Sequence, residues 1–146
     1  MNYKFQLDLD AIAQTATKLE QALFKIKQRY HEQGNADYEP IADWLIDRLS
    51  PIITICKNKE IDQPFNIATF AVSRAGRDAV DLLFDPRHEA DSLFDNLYKL
   101  LKGGMERDDF INSSYADEYP AKMIPLLEAQ AEEDRRKREL KKQQNL

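Results

Sequence analysis

The chain has few chemically reactive side chains, so each can be weighed in turn. Cys56 is its single thiol. A nucleophilic cysteine needs a lowered pKa and a neighbouring base. Cys56 instead closes the apolar run Pro51-Ile-Ile-Thr-Ile-Cys56, with no histidine near it in sequence. A buried structural thiol is expected, in keeping with the usual burial of free cysteine. His31 and His88 are the only histidines. Structural zinc requires Cys/His sets at short spacing, and helical di-iron sites require Glu-x-x-His on two helices. Position 28 is Gln28, so His31 lacks its acid, and Asp85-Pro-Arg-His88 offers the i,i+3 spacing once, beside a helix break. Neither a metal nor a cofactor is expected. Gly-x-Ser-x-Gly, Ser-x-x-Lys and His-Glu-x-x-His are absent from the sequence, and with them the commonest catalytic signatures. Gly34, Gly76, Gly103 and Gly104 are the only glycines, too scattered to cradle phosphates as a P-loop or dinucleotide loop does. The expectation is a protein that is not an enzyme.

Carboxylate, by contrast, is plentiful. Asp78, Asp81, Asp85, Glu89, Asp91 and Asp95 form a dense acidic run, and the first three step by three and four, onto one helix face. Such neighbours repel by a few tenths of a kcal/mol per pair unless a cation meets them. A solvated helix face is the plainer account of this run; a docking surface for an Arg/Lys-rich protein is the functional one. A second acidic group, Asp108, Asp109, Asp117 and Glu118, falls in the polar stretch from Met105 to Glu118, with Tyr115 and Tyr119 in or beside it as aromatic anchors. The net charge of −5 is unevenly spread: residues 1–127 hold fifteen basic and twenty-one acidic side chains, residues 128–146 six basic and five acidic. An acidic body repels nucleic acid and favours basic partners.

These features suggest a non-catalytic protein-binding protein, most concretely a small acidic inhibitor of immunity or antitoxin type that occludes a basic target such as a nuclease toxin. Its candidate contacts are Asp78, Asp81, Asp85, Glu89, Asp91, Asp108, Asp109, Tyr115, Asp117, Glu118 and Tyr119. The alternative is a nucleic-acid-associated accessory protein. It would act through residues 135–142, where six of eight side chains are basic and so carry the electrostatic footprint of phosphate binding. Arg74 and Arg77, three apart, suit an anion or a carboxylate. Gly76 between them reads as a close helix–helix approach, since glycine inside a helix costs about 1 kcal/mol relative to alanine.

The elements that must position these residues read as helices. Leu9, Ile12, Ala16, Leu19, Leu23, Ile26 and Tyr30 alternate steps of three and four, one face of a helix running from about Leu9 to Gln33. Asp8 is its expected N-cap and Gly34-Asn35 its stop. Phe24, Ala13 and Ala22 widen the stripe, which favours a helix within a bundle over a coiled-coil homo-oligomer. Tyr3, Phe5 and Leu7 read as an arm packed on the bundle. A second helix starts near Pro40 and is expected to break at Ser50-Pro51, because proline lacks the backbone donor. Ile52, Ile53, Ile55 and Cys56 would then form separate turns of buried helix or a short strand. A third helix runs from Pro64 to Leu83, and a fourth from His88 to Lys102. A loop with one turn at Asp109–Asn112 follows, and a last helix from Pro120 continues as Glu128–Gln144.

The fold class expected is therefore all-α: an irregular bundle of about five helices with a short N-terminal arm and an extended charged C-terminal helix. Residues 1–130 would form the acidic bundle and 131–146 the charged tail. A length of 146 residues suffices for one core. No apolar run approaches the roughly 20 residues that cross a bilayer. MNYKFQLDLD lacks the apolar segment and cleavage site of a secretory signal, so none is expected. A lone cysteine excludes an internal disulfide framework and fits a reducing, cytoplasmic setting.

Overall fold

A computed structural model describes residues 4–113, 115 and 118–144. Among these the chain is all-helical, with seven helices and no strand: α1 (Leu9–Glu32), α2 (Glu39–Lys57), α3 (Ile67–Ala75), α4 (Arg77–Leu83), α5 (Glu89–Leu101), α6 (Arg107–Asn112) and α7 (Met123–Gln144). None of them is long and apolar enough to cross a membrane.

α1 begins where the sequence places it, with the Asp8 carboxylate accepting from the Ala11 N–H at 3.1 Å. Its stripe of Ile12, Ala16, Leu19, Ala22, Leu23 and Ile26 is buried and packs chiefly against α2 and α5. The heptad face is thus consumed inside the chain. Phe24 departs from the expected stripe: it stands exposed on the other side, because one residue beyond Leu23 turns about 100° around the helix. The ion pairs Asp10–Lys59, Glu20–Lys57 and Lys27–Asp43 (2.6–2.8 Å) follow the antiparallel seam of α1 and α2. Exposed pairs of this kind contribute about 0–1 kcal/mol each, so burial of the stripe holds the hairpin.

Two helix boundaries differ from the sequence expectation, each for a local backbone reason. Pro51 does not break α2, which continues unbroken through Ile52, Ile53, Ile55 and Cys56. A proline in a helix leaves the carbonyl four residues earlier without its donor, here that of Asp47. The Gln130 side-chain amide of α7 donates to the Asp47 carbonyl. The same amide's oxygen accepts from Arg74 Nη2 at 2.7 Å, and four residues further along α7 Asp134 accepts from Arg48 Nη1 at 2.6 Å. An orphan carbonyl that would weaken α2 is thereby satisfied by α7.

The other difference lies at Gly76. The helix expected from Pro64 to Leu83 is two helices, with Asn66 capping the first through the Thr69 N–H (3.1 Å). Gly76 sits between them at φ +83°, a left-handed conformation that favours glycine. A Cβ there would meet nothing within 4 Å, so a chain reversal and not a close approach accounts for the glycine. The split at Gly76, with α6 in place of a single turn, accounts for seven helices against the expected five. The last helix also starts three residues later than expected, at Met123.

The arm is placed by α5. Gln6 N–H donates to the Gly103 carbonyl at 2.9 Å. A Cβ on Gly103 would lie 3.2 Å from Phe5 Cβ and 3.3 Å from Leu7 Cδ2, so glycine permits the approach. Tyr3 lies outside the described residues. α7 crosses the 130/131 position as one helix, and of its side chains only Met123 is fully buried.

If Gln130 serves the carbonyl freed by Pro51, the two positions are coupled. Gln130→Ala should lower stability by about 1 kcal/mol, the usual net worth of such a bond. In a Pro51→Ala background, where the new residue restores the helical donor, the same change should cost less, because only the bond from Arg74 is then lost. Urea unfolding of the four proteins measures this, and equal costs in both backgrounds would contradict the coupling.

Candidate functional site

A half-open cleft of about 720 Å³ lies at the end of the bundle where α1 turns into α2. Three pieces of chain build it. The end of α1 contributes Arg29, Tyr30 and Gln33; the turn and start of α2 contribute Asn35, Asp37, Tyr38 and Ile41; α4 and the loop after it contribute Asp78, Asp81, Leu82, Asp85, Arg87 and His88. The turn is set by Asn35. Its side-chain oxygen accepts from the Asp37 and Tyr38 N–H groups at 3.2 and 3.1 Å, the local bonding that makes asparagine a turn residue, while its own N–H closes α1 on the Tyr30 carbonyl at 2.9 Å. This stacks the Tyr38 ring on the Tyr30 ring, centroids 5.3 Å apart and inclined by 29°. Tyr38 keeps 48% of its surface exposed.

His88 forms the back of the cleft. It is buried, its Nε2 lies 3.3 Å from the Tyr30 hydroxyl, and it meets the Tyr30 ring edge-on. Burial is the main cause that lowers its pKa; Arg29 and Arg87 act in the same sense, and Asp85 opposes them. Asp85 accepts from Arg87 Nε, Nη2 and backbone N–H at 2.6–3.1 Å, and those bonds hold its carboxyl well below the usual range. Asp85 is therefore spent on its neighbour. Among the described residues, Asp37, Asp78 and Asp81 have no cation within 4 Å. The cleft thus presents three carboxylates without an ion-pair partner around an aromatic stack, with one likewise unpaired cation, Arg29, in its lining. That is an arrangement for a guanidinium or ammonium group, which the ring face and the acids both attract.

The acids singled out by the sequence do not share one surface. Asp78 and Asp81 are exposed on α4 and line the cleft; Asp85 lines it too, though from the turn after α4, since that helix ends at Leu83. Glu89 borders an adjoining crevice that shares Arg29, Arg87 and His88 with the cleft. Asp91 borders an apolar groove with Ala68, Phe84, Phe94 and Tyr98. Asp108 and Asp109 occupy the first turn of α6, where acids suit the helix dipole. Tyr115 meets Phe5 edge-on, and Tyr119 packs on Phe65 and Phe70. Glu118 is exposed, and Asp117 lies outside the described residues. Tyr115, packed on the arm that precedes α1, is thereby set at the opposite end of that helix, whose 24 residues span about 36 Å at 1.5 Å each.

Tyr30, Tyr38 and Asp37 were missed from sequence because tyrosine on an amphipathic stripe reads as core. The available signal was two tyrosines flanking Gly34-Asn35, which any tight turn there would bring together. Cys56 is fully buried, and burial pushes its thiol up to about 12, so it is not a thiolate at neutral pH. In the tail, Arg135, Arg136 and Lys137 pair with Glu132 and Glu133.

His88 gives the fold a pH dependence. With its folded pKa below the ordinary 6.5, the unfolded chain takes up the proton first as pH falls. Stability is then full above about 6.5 and is lost as pH drops through that value towards the folded one. The depressed carboxylates Asp10 and Asp85 act only below their ordinary 3.8. Urea midpoints should fall between neutral pH and mild acid in the wild type and stay nearly level there in His88→Gln; parallel profiles would contradict the assignment.

Comparison of the chain with protein-family models, with curated proteins and with solved structures finds no match.

Proposed function

We propose that this chain is a non-catalytic protein-binding protein, an acidic inhibitor of immunity or antitoxin type, that receives a basic segment of its target in the cleft between α4 and the α1–α2 turn. The observation that carries the reading is the set of carboxylates without an ion-pair partner, Asp37, Asp78 and Asp81, around the Tyr30–Tyr38 stack. An arginine or lysine of the target would lie over the exposed Tyr38 ring with its charge between Asp78 and Asp81. The acids mainly steer the encounter and select the sign of the partner; exposed ion pairs add about 0–1 kcal/mol each. Affinity would come from desolvated aromatic contact at the centre, where interface energy concentrates. Inhibition would be occlusion: the body of the bundle covers whatever lies beside the captured basic segment, as it would the cleft of a nuclease. In a reducing cytoplasm the buried Cys56 would remain a thiol.

The test is capture of the target from the cells that make the protein, with three tagged forms side by side. Wild type and Asp108→Asn/Asp109→Asn should recover the same partner. Asp78→Asn/Asp81→Asn, which removes charge while preserving shape, should weaken recovery by about tenfold or more, equivalent to about 1.4 kcal/mol. Undiminished capture by that variant, or loss in the α6 variant instead, would falsify the placement of the site.

A further inference from the structure

A second surface feature lies one turn along α2 from the cleft. Trp44 is 47% exposed, an unusual state for the only tryptophan in the chain. Its indole is fixed in place: the Arg48 guanidinium lies 3.6 Å over the ring centre and is itself held by Asp134 at 2.6 Å. Trp44 and Arg48 share a groove of about 300 Å³ with Asp134, Lys137, Arg138 and Lys141 of α7. Tyr38, Ile41 and Trp44 step by three and so form one aromatic and apolar strip.

The strip has oppositely charged flanks. α4 lies on the side of Ile41, with which Leu82, Asp78 and Asp81 share the cleft. α7 lies on the side of Asp47, whose carbonyl Gln130 holds. Ile41 and Asp47 point about 120° apart around the helix, with Trp44 midway. One flank therefore carries Asp37, Asp78 and Asp81 against Arg29; the other carries Lys137, Arg138 and Lys141 against Asp47, so each keeps the sign of its majority. Lys137 is paired with Glu133, whereas among the described residues Arg138 and Lys141 have no acid within 4 Å.

We infer that this strip is a self-association surface, and that its occupant is a second copy of the chain. A two-fold axis running along the strip turns the acidic flank of one copy onto the basic flank of the other and repeats the contact in reverse, the reciprocity of an isologous dimer. The alternative in-plane axis, across the strip, stacks acid on acid and base on base. The charge pattern therefore selects the axis along the strip, with Trp44 and Tyr38 covered at the centre. A nucleic acid fits less well, because Asp37, Asp78 and Asp81 border the same strip and repel phosphate. Tyr38 and Ile41 also line the cleft, so self-association covers it until a basic target displaces the second copy; this last step alone rests on the function proposed above.

Sedimentation of the full chain tests the inference. The wild type should be dimeric at low salt. Its association should weaken by about tenfold or more as ionic strength rises from about 0.01 M to about 1 M, over which the screening length falls from about 30 Å to about 3 Å. Asp78→Lys/Asp81→Lys and Arg138→Glu/Lys141→Glu, all at exposed positions, should each be monomeric alone and form a heterodimer when mixed, because one offers two basic flanks and the other two acidic ones. A wild type that is monomeric throughout the salt series, or a mixture that stays monomeric, overturns the dimer. So does a monomeric wild type that binds a single-stranded oligonucleotide and loses it in Arg138→Glu/Lys141→Glu, which assigns the basic flank to nucleic acid. A monomer that still captures its target through Asp78 and Asp81 removes self-association and leaves the function proposed above standing.

Discussion

One side of α1 is a continuous apolar stripe, and water must be kept from nearly its whole length. α2 and α5 provide that cover: both lie antiparallel to α1, one joined to it by a tight turn and the other arriving later in the chain. A fully buried Leu or Ile side chain stabilises a fold by about 1.5–3 kcal/mol, and Ile12, Leu19, Leu23 and Ile26 each make that contribution at this seam. Everything else is placed relative to it. The start of α5 brings His88 beneath Tyr30, its end receives the arm at Gly103, and α3 and α4 pack against α2, with α3 also reaching α5.

Because the seam is antiparallel, each end of the bundle collects residues from distant parts of the sequence. The cleft is such an end. Its carboxylates come from the α1–α2 turn and from α4, and only the second set forms a visible run in the sequence. A run of acids along a chain says little about a shared surface: Asp78 and Asp91 belong to helices that open onto different grooves, and Asp108 belongs to α6. Charge can become a site only where the backbone brings unpaired groups around something able to hold a partner, and the proposed cleft joins such groups to the exposed ring of Tyr38.

Periodicity made α1, α5 and the all-helical class legible, since an apolar residue every three or four positions has few other solutions. Asp8 and Gly34-Asn35 marked the ends of α1 because capping is local chemistry. Where the sequence misled, the answer lay in tertiary structure. Pro51 reads as a helix end when only its missing donor is considered; the remedy comes from Gln130, 79 positions away in the chain. Gly76 reads as a close helix–helix contact, and the +83° dihedral that overturns that reading has no signature beyond the glycine itself. Tyr30 and Tyr38 hid for the same reason, as their stacking depends on how the turn between them closes.

The proline in α2 also settles a question of register. α7 buries little apolar surface, and a helix held by weak burial alone could slide by one turn, about 5.4 Å, with small loss. A single unclaimed carbonyl is a point landmark on an otherwise repetitive surface. Only one residue of α7 can face it at a time, and one residue inserted ahead of Gln130 would swing the amide about 100° away. The defect that proline introduces into α2 thus indexes the last helix, fixing which cations stand beside Trp44.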